Sequence, residues 1–106
     1  MALLENMRVF VRVVELGSLS AAGRQVRMSP AVVSHRIQQL EQHLGVRLLN
    51  RTTRQVQTTE HGQTFYRHCL VVLDAMERAE TSVATTSGVP SGSLRVTAPL
   101  GFGRRI

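Results

Sequence analysis

The sequence predicts a mainly α-helical fold in which three short helices and a small β-hairpin precede one long helix. Three observations support this prediction. First, apolar residues recur at intervals of three and four in four segments, as in helices. Second, a serine or threonine, which favours helix N-termini, stands before each of the last three of these segments. Third, two short β-capable runs precede the longest segment. The chain has 106 residues, which is enough for one small domain and an extension but not for two full cores.

The first two helices are short and close together in the sequence. The first is predicted from Leu3 to Leu16, where apolar residues form one stripe, and Gly17 suits its C-terminal end. The second is predicted from Ser20 to Val26, with Ser18 as its N-cap. Only residues 27–28 then connect it to the third helix, which indicates a tight turn.

The third helix is predicted from Pro30 to about Leu44, because Ser29 is a favoured N-cap, proline suits the first helical position and Gly45 follows. At about 100° per residue, four apolar residues form its core face: Val33, Ile37, Leu40 and Leu44. The opposite face is polar and almost free of acid: Ala31, His35, Gln38 and Gln42, with Ser34 and Gln39 at its margins.

A β-hairpin is predicted next, with strands at Val46–Asn50 and Gln55–Thr58. The residues that connect them begin with Arg51 and end with Arg54, so an arginine stands at each end of the tip. Because guanidinium is planar and permanently charged, such a tip suits contact with phosphates or with a minor groove.

The long helix is predicted from Glu60 to about Thr86, with Thr59 as its cap. Its apolar residues alternate in steps of four and three, which is typical of a seam for another helix: Phe65, Cys69, Val72, Met76, Ala79 and Val83. A second copy of the chain would cover this seam and form a dimer. The alternative, that the helix packs back onto the first helix of its own chain, explains part of the pattern.

The last segment has a different composition. Residues 87–93 are predicted to form a linker, because they are rich in glycine, serine and proline. From Leu94 apolar and polar residues alternate, which is typical of a strand, but a single strand is not stable alone. We therefore expect residues 94–106 to be the truncated start of a second domain.

Positive charge is concentrated at the two ends of the chain. The net charge is +6, and all 13 basic residues are arginine. Residues 1–58 carry eight arginines and three glutamates, residues 59–88 have a net charge of −2, and residues 89–106 have +3. The basic head indicates an anion-binding surface.

Several other classes of protein are excluded on composition. No apolar segment approaches the roughly 18 to 20 residues that cross a bilayer, and the N-terminus lacks the apolar region of a signal peptide. The single cysteine excludes an internal disulfide framework. His61 and His68 are seven residues apart, without the i,i+4 spacing that metal ligands favour on a helix, and Cys69 lies on the apolar seam. Ser34 and His35 point apart on one helix and cannot act as nucleophile and base. We therefore expect no metal, no cofactor and no enzymatic activity.

Two short helices joined by a tight turn, the second with an acid-poor polar face, form the helix-turn-helix pattern of DNA-binding proteins. The major groove of B-DNA is about 12 Å wide and admits one such helix. Arg24 and Arg27 flank the turn and are predicted to contact backbone phosphates. Two further arginines have open roles: Arg47 suits an ion pair or a phosphate contact, and Arg36 suits an ion pair with Glu41 or a phosphate contact.

The order and spacing of four motifs resemble the LysR-type transcriptional regulators. The motifs are GSLSAA at 17–22, SPAVVSHRIQQLE at 29–41, LGVRLLNRTTR at 44–54 and TEHG at 59–62. The resemblance covers residues 4 to about 86 as a winged helix-turn-helix and a linker helix, and residues 92–99 are similar to the first strand of that family's effector-binding domain.

The resemblance implies a bacterial, cytoplasmic and nucleoid-associated transcription factor. Such a protein binds double-stranded operator DNA as a homodimer through paired linker helices, often assembles into tetramers when full length, and binds a small-molecule effector in the domain that is absent here. In this family, residues in the N-terminal part of the recognition helix and the second arginine of the wing read the DNA sequence. The matching residues here are Pro30, Ala31, Ser34, His35 and Arg54. Pro30 stands where glutamine is frequent, so the base-reading side-chain amide is absent. His35 stands where arginine is frequent, so the resemblance does not carry over a bidentate guanine contact at residue 35.

Turn, helix and wing together give the predicted set of DNA-contacting residues: Ser18, Arg24, Arg27, Ser29, Pro30, Ala31, Ser34, His35, Gln38, Arg51, Thr52 and Arg54. We expect four parts: a DNA-binding domain over residues 1–59, a dimerisation helix over 60–86, a hinge over 87–93 and the truncated domain over 94–106. The alternative is a winged-helix module that binds protein or RNA.

Overall fold

The structure, a computed structural model, describes residues 2–51 and 55–86. Its elements in chain order are α1 Leu3–Leu16, α2 Leu19–Val26, α3 Pro30–Leu44, β1 Leu49–Arg51, β2 Val56–Thr58 and α4 Glu60–Thr86. The predicted mainly α-helical, winged helix-turn-helix fold with a long fourth helix is confirmed. None of the described helices is both long enough and apolar enough to span a membrane.

Serine caps begin α2 and α3 as predicted. The Ser18 Oγ accepts a hydrogen bond from the Ala21 amide at 3.1 Å, and the Ser29 Oγ accepts one from the Val32 amide at 3.2 Å. Both bonds satisfy amides that have no partner within the first turn. The cap at Ser18 starts α2 one residue earlier than the sequence predicted.

The first three helices end in left-handed residues. Gly17 ends α1 with φ 68° and Gly45 ends α3 with φ 75°, at the predicted positions. Arg27 ends α2 with φ 61°, a conformation that costs free energy for a residue with a Cβ. Arg27 is the only non-glycine residue with positive φ in the described part of the chain.

One core lies between α1, α2 and α3, and β1 and α4 add to it. Its largest fully buried apolar side chains are Phe10, Ile37, Leu40, Leu48, Leu49, Val9, Val13 and Val33. The predicted core face of α3 is thus confirmed at Val33, Ile37 and Leu40. Leu44, predicted for the same face, is the last residue of the helix and remains 38% exposed.

The wing is an antiparallel pair in which Leu49 faces Thr58, Asn50 faces Gln57 and Arg51 faces Val56. The first strand begins at Leu49 rather than at the predicted Val46. The reason is that the Leu48 and Leu49 amides donate to the Glu41 carboxylate, at 2.9 and 3.2 Å, and so hold this segment against α3. The tip of the hairpin at 52–54 lies outside the described residues.

The chain divides into two compact units, residues 1–73 and 74–106. Residues 60–73 of α4 belong to the first unit, and four of their side chains lie in its core or pack against it: Phe65, Tyr66, Cys69 and Leu73. The division into a DNA-binding domain over residues 1–59 and a dimerisation helix over 60–86 stays a prediction. The predicted hinge at 87–93 and the predicted truncated domain at 94–106 lie outside the described residues.

Candidate nucleic-acid interface

The N-terminal half of α3 presents the predicted outer face to solvent. Ser29, Pro30, Ala31, His35 and Gln38 are exposed, and Ser34 is half-buried at the margin. The first turn of the helix contains no acidic residue. The face is turned outward because Val33, Ile37 and Leu40 on the opposite side have no exposed surface. Polar groups that can approach a base edge therefore lie on one exposed face of the helix.

The turn between α2 and α3 is tight, and the backbone of Met28 in this turn lies close to Gly23 of α2. The Met28 amide donates to the Gly23 carbonyl at 2.9 Å, and a Cβ at Gly23 would overlap the Met28 carbonyl oxygen. Arg24 and Arg27 are both exposed at this end of α2. Two exposed cations thus stand at the end of α2, at the turn that precedes α3, and their contact with phosphates stays a prediction.

The structure assigns one of the two open arginines to an ion pair. Arg47 Nε lies 3.7 Å from Glu41 Oε2, and Arg47 Nη2 donates to the Leu49 carbonyl at 3.3 Å. The guanidinium is largely exposed, so this pair adds little stability. Glu41 itself acts mainly as the acceptor for the two amides that precede and begin β1.

Arg36, the other open arginine, does not pair with Glu41. Its Nη1 donates instead to the Asn6 Oδ1 at 3.0 Å, across the interface between α1 and α3. Sequence reasoning missed Asn6 as a partner, although a signal was present. Asn6 occupies the apolar stripe of α1, four residues before Phe10, and a polar residue in that position requires a buried partner. The exposed Val32, beside the predicted outer face, was also missed.

The predicted seam of α4 divides into two parts. Cys69 is fully buried within its own chain, and the Phe65 ring lies 5.6 Å from that of Phe10. Phe65 thus follows the alternative of packing onto α1. Cys69 belongs to the core of its own chain and has no surface left to bury against a partner. The other four seam residues are exposed or half-buried: Val72, Met76, Ala79 and Val83. Burial also raises the pKa of the Cys69 thiol to about 11.

A hydrogen bond ties the start of α4 to α1 at the surface. The Tyr66 hydroxyl donates to Glu15 Oε2 at 3.1 Å, and Glu15 also pairs with Arg12 at 2.6 Å. The pKa of Tyr66 is raised, first by burial and then by the hydrogen bond and charge of Glu15, while Arg12 opposes the change.

Two other predictions concern the wing and a metal site. Thr52 and Arg54 lie outside the described residues, and of Arg51 the structure describes only the strand to which it belongs. Within residues 2–51 and 55–86, no three histidine, cysteine or acidic side chains come close enough to hold a metal ion.

Two curated relatives are similar over most of this chain. It is 46% identical to the HTH-type transcriptional regulator CrgA of Neisseria meningitidis serogroup C over 92 residues. The aligned region covers 87% of this chain and 31% of that relative. The HTH-type transcriptional activator AaeR of Escherichia coli K12 is 39% identical over 93 residues, with 88% and 30% covered. The chain spans about a third of the length of these relatives.

Solved structures share the fold. The BenM DNA-binding domain in a complex with catB site 1 DNA superposes with a TM-score of 0.76 at 32% identity, over 79% of this chain and 93% of that chain. The CbnR DNA-binding domain in a DNA complex gives a TM-score of 0.76 at 26% identity, over 79% and 97%. Residues 4–63 match the family model of the bacterial regulatory helix-turn-helix proteins, lysR family. This chain therefore belongs to the LysR family of bacterial regulatory proteins.

Proposed function

We propose that this chain is the DNA-binding part of a LysR-type transcriptional regulator and binds operator DNA with α3 in the major groove. The observation that carries the proposal is the exposed, acid-poor N-terminal half of α3 beside the exposed Arg24 and Arg27. Phosphate contacts by the arginines would fix the position of the helix, and contacts from α3 to base edges would read the sequence. The similarity to domains solved with DNA supports the same geometry.

Each residue of the outer face has a defined capacity for base contacts. Ser34 and His35 can each form hydrogen bonds with base edges, while the methyl groups of Ala31 and Val32 suit contact with thymine methyl groups. His35 forms one hydrogen bond to a base where an arginine would form two. We therefore expect weaker selection for guanine opposite residue 35 than an arginine would give.

We further propose that the chain binds DNA as a homodimer through α4, with the seam formed by Val72, Met76, Ala79 and Val83. Val72 and Val83 expose 40% and 68% of their surface, which a partner helix would cover. Arg51, Thr52 and Arg54 of the wing are proposed to contact the backbone or the minor groove. In the full-length protein, which is expected to form tetramers, a small-molecule effector would bind outside this chain.

No catalytic step is part of this proposal. Glu41 is the only acidic residue of α3, and its carboxylate accepts hydrogen bonds from the amides of Leu48 and Leu49. It is therefore engaged away from Ser34 and cannot orient a base for it. A protein that binds chromosomal DNA in a bacterium acts in the cytoplasm, which is the location we propose.

Fluorescence anisotropy tests the proposal with three probes over a salt series: a palindromic duplex selected from a random pool, a shuffled duplex of the same composition, and an RNA hairpin. We expect the selected duplex to bind about 1,000-fold more tightly than the shuffled one, at the lower end of the range typical of specific recognition of DNA. Equal affinity for all three probes would reject the proposal in favour of a general anion-binding or interaction module.

A further inference from the structure

A buried polar bridge joins α1 to the flank of α3. Asn6 has no exposed surface, and both polar atoms of its side-chain amide are engaged. Its Nδ2 donates to Gln39 Oε1 at 3.1 Å, and its Oδ1 accepts from Arg36 Nη1 at 3.0 Å. The two partners are three residues apart on α3, so one side chain of α1 holds two neighbouring points on that helix.

The position of Arg36 in this bridge lowers the stability of the fold. Its Nε is buried and has no hydrogen-bond partner in the part of the chain that the structure describes. A buried donor that has lost water without gaining a partner is destabilising. The arrangement is therefore poorly explained by stability alone, and it also keeps part of the guanidinium away from any phosphate.

The bridge lies next to the residues proposed to read DNA. Arg36 follows His35 in the sequence, and at about 100° per residue Arg36 and Gln39 occupy the flank between the buried face and the outer face. The buried face consists of apolar contacts, which are not directional. Hydrogen bonds are directional, so the bond that Asn6 donates to Gln39 and the bond that it accepts from Arg36 resist rotation of α3 about its own axis.

We propose that Asn6, Arg36 and Gln39 are positioning residues that fix the rotation of α3 so that Ser34 and His35 meet base edges, and that Arg36 itself contacts no phosphate. A binding constellation must be held within about 0.5 Å and 10–20° of its productive geometry, and a small rotation of the helix exceeds that limit. The inference rests on the proposed function, and it assigns Arg36 a role in selectivity rather than in electrostatic attraction.

Three variants test it: Arg36→Met, Asn6→Leu and Gln39→Met. The control is Arg8→Met, which removes the same charge from an exposed position on α1. Each protein is titrated against the duplex selected by the wild-type chain and against its shuffled version, at several salt concentrations. We expect each bridge variant to lower the ratio of the two affinities at least tenfold, without a change in the salt slope on the shuffled duplex. The control keeps the ratio.

A phosphate contact would give a different result. In that case Arg36→Met would weaken binding to both duplexes equally and lower the slope of log affinity against log salt by about 0.9, which would overturn the proposal. An unchanged ratio in the folded variants would overturn it as well.

Circular dichroism and thermal unfolding establish which variants fold. Gln39→Met is the mildest change because Gln39 is only half-buried. If the other two variants unfold, the ratio of the two affinities measured for Gln39→Met decides whether the proposal holds. A wild-type chain that does not distinguish the two duplexes would instead reject the proposed function. The two failures are thus distinguishable.

Discussion

The carbonyl oxygen of Leu48 lies so close to Gly62 that an added Cβ at Gly62 would overlap it. The same carbonyl accepts a hydrogen bond from the Thr59 amide at 3.0 Å. The Thr59 hydroxyl donates to the Arg47 carbonyl at 2.6 Å and accepts from the Gly62 amide at 2.9 Å, which confirms the predicted cap. The first turn of α4 is thus fixed to the segment that leads into the wing.

This contact predicts that Gly62→Ala is strongly destabilising, because a backbone oxygen cannot move aside as a flexible side chain can. We expect it to lower the free energy of unfolding by about 3 kcal/mol, at the upper end for overpacking. Gly45→Ala is the control, since Gly45 has positive φ but nothing within 4 Å of an added Cβ, and it should cost only about 1 kcal/mol. Urea unfolding measures both, and equal losses would contradict the close packing of α4.

The left-handed conformation of Arg27 predicts a conflict between stability and binding. Arg27→Gly should stabilise the fold by about 0.5–1 kcal/mol, because glycine adopts φ 61° without steric cost. It should also weaken binding to selected and shuffled duplexes equally, as expected for a phosphate contact. Arg24→Ala, within α2, should weaken binding in the same way without stabilising the fold. A more stable Arg27→Gly variant with unchanged DNA affinity would show that this side chain does not meet the duplex.

The exposed part of the α4 seam predicts an effect on assembly. Val72→Glu should shift the chain from dimer to monomer in sedimentation velocity, because a carboxylate would be buried between the two helices. Val71→Glu is the matched control: Val71 is 67% exposed and lies outside the four-and-three spacing of the seam. If the wild-type chain is a monomer, or if both variants remain dimeric, the proposed seam is wrong.

The buried thiol predicts a loss of stability at high pH. The pKa of Cys69 rises from its ordinary 9.0 to about 11, so between these values the unfolded chain loses a proton that the folded chain keeps. The free energy of unfolding should therefore fall as pH rises from 9 towards 11, by up to about 1.4 kcal/mol per unit. Cys69→Ala should flatten the profile over this range. The raised pKa of Tyr66 acts in the same direction at higher pH, and Tyr66→Phe separates its effect. A wild-type profile as flat as that of Cys69→Ala would contradict the burial.

Local signals in the sequence were sufficient to predict α3 and its outer face. Ser29, Pro30 and Gly45 mark the ends of the helix independently of the rest of the chain, and the apolar spacing determines which side is buried. The bounds of α4 follow from similar signals, with Thr59 at its start.

Contacts between distant residues could not be predicted in the same way. The bond from Arg36 to Asn6 spans 30 positions, and nothing in the spacing of α3 distinguishes it from a pair with Glu41. Cys69 fits a seam and a core equally well by periodicity, and only its burial in the core of its own chain separates the two. The start of β1 depended on the Glu41 carboxylate, which is also a contact outside the hairpin.

The central claim is that the outer face of α3 reads DNA sequence. The most direct test measures how well the Ser34→Ala and His35→Ala variants still distinguish the selected duplex from the shuffled one. Their affinities for the selected and shuffled duplexes are compared with those of the wild-type chain at one salt concentration. The account predicts that each substitution costs about 1–3 kcal/mol on the selected duplex and leaves the shuffled duplex unaffected. Equal losses on both duplexes, or no loss on either, would contradict it.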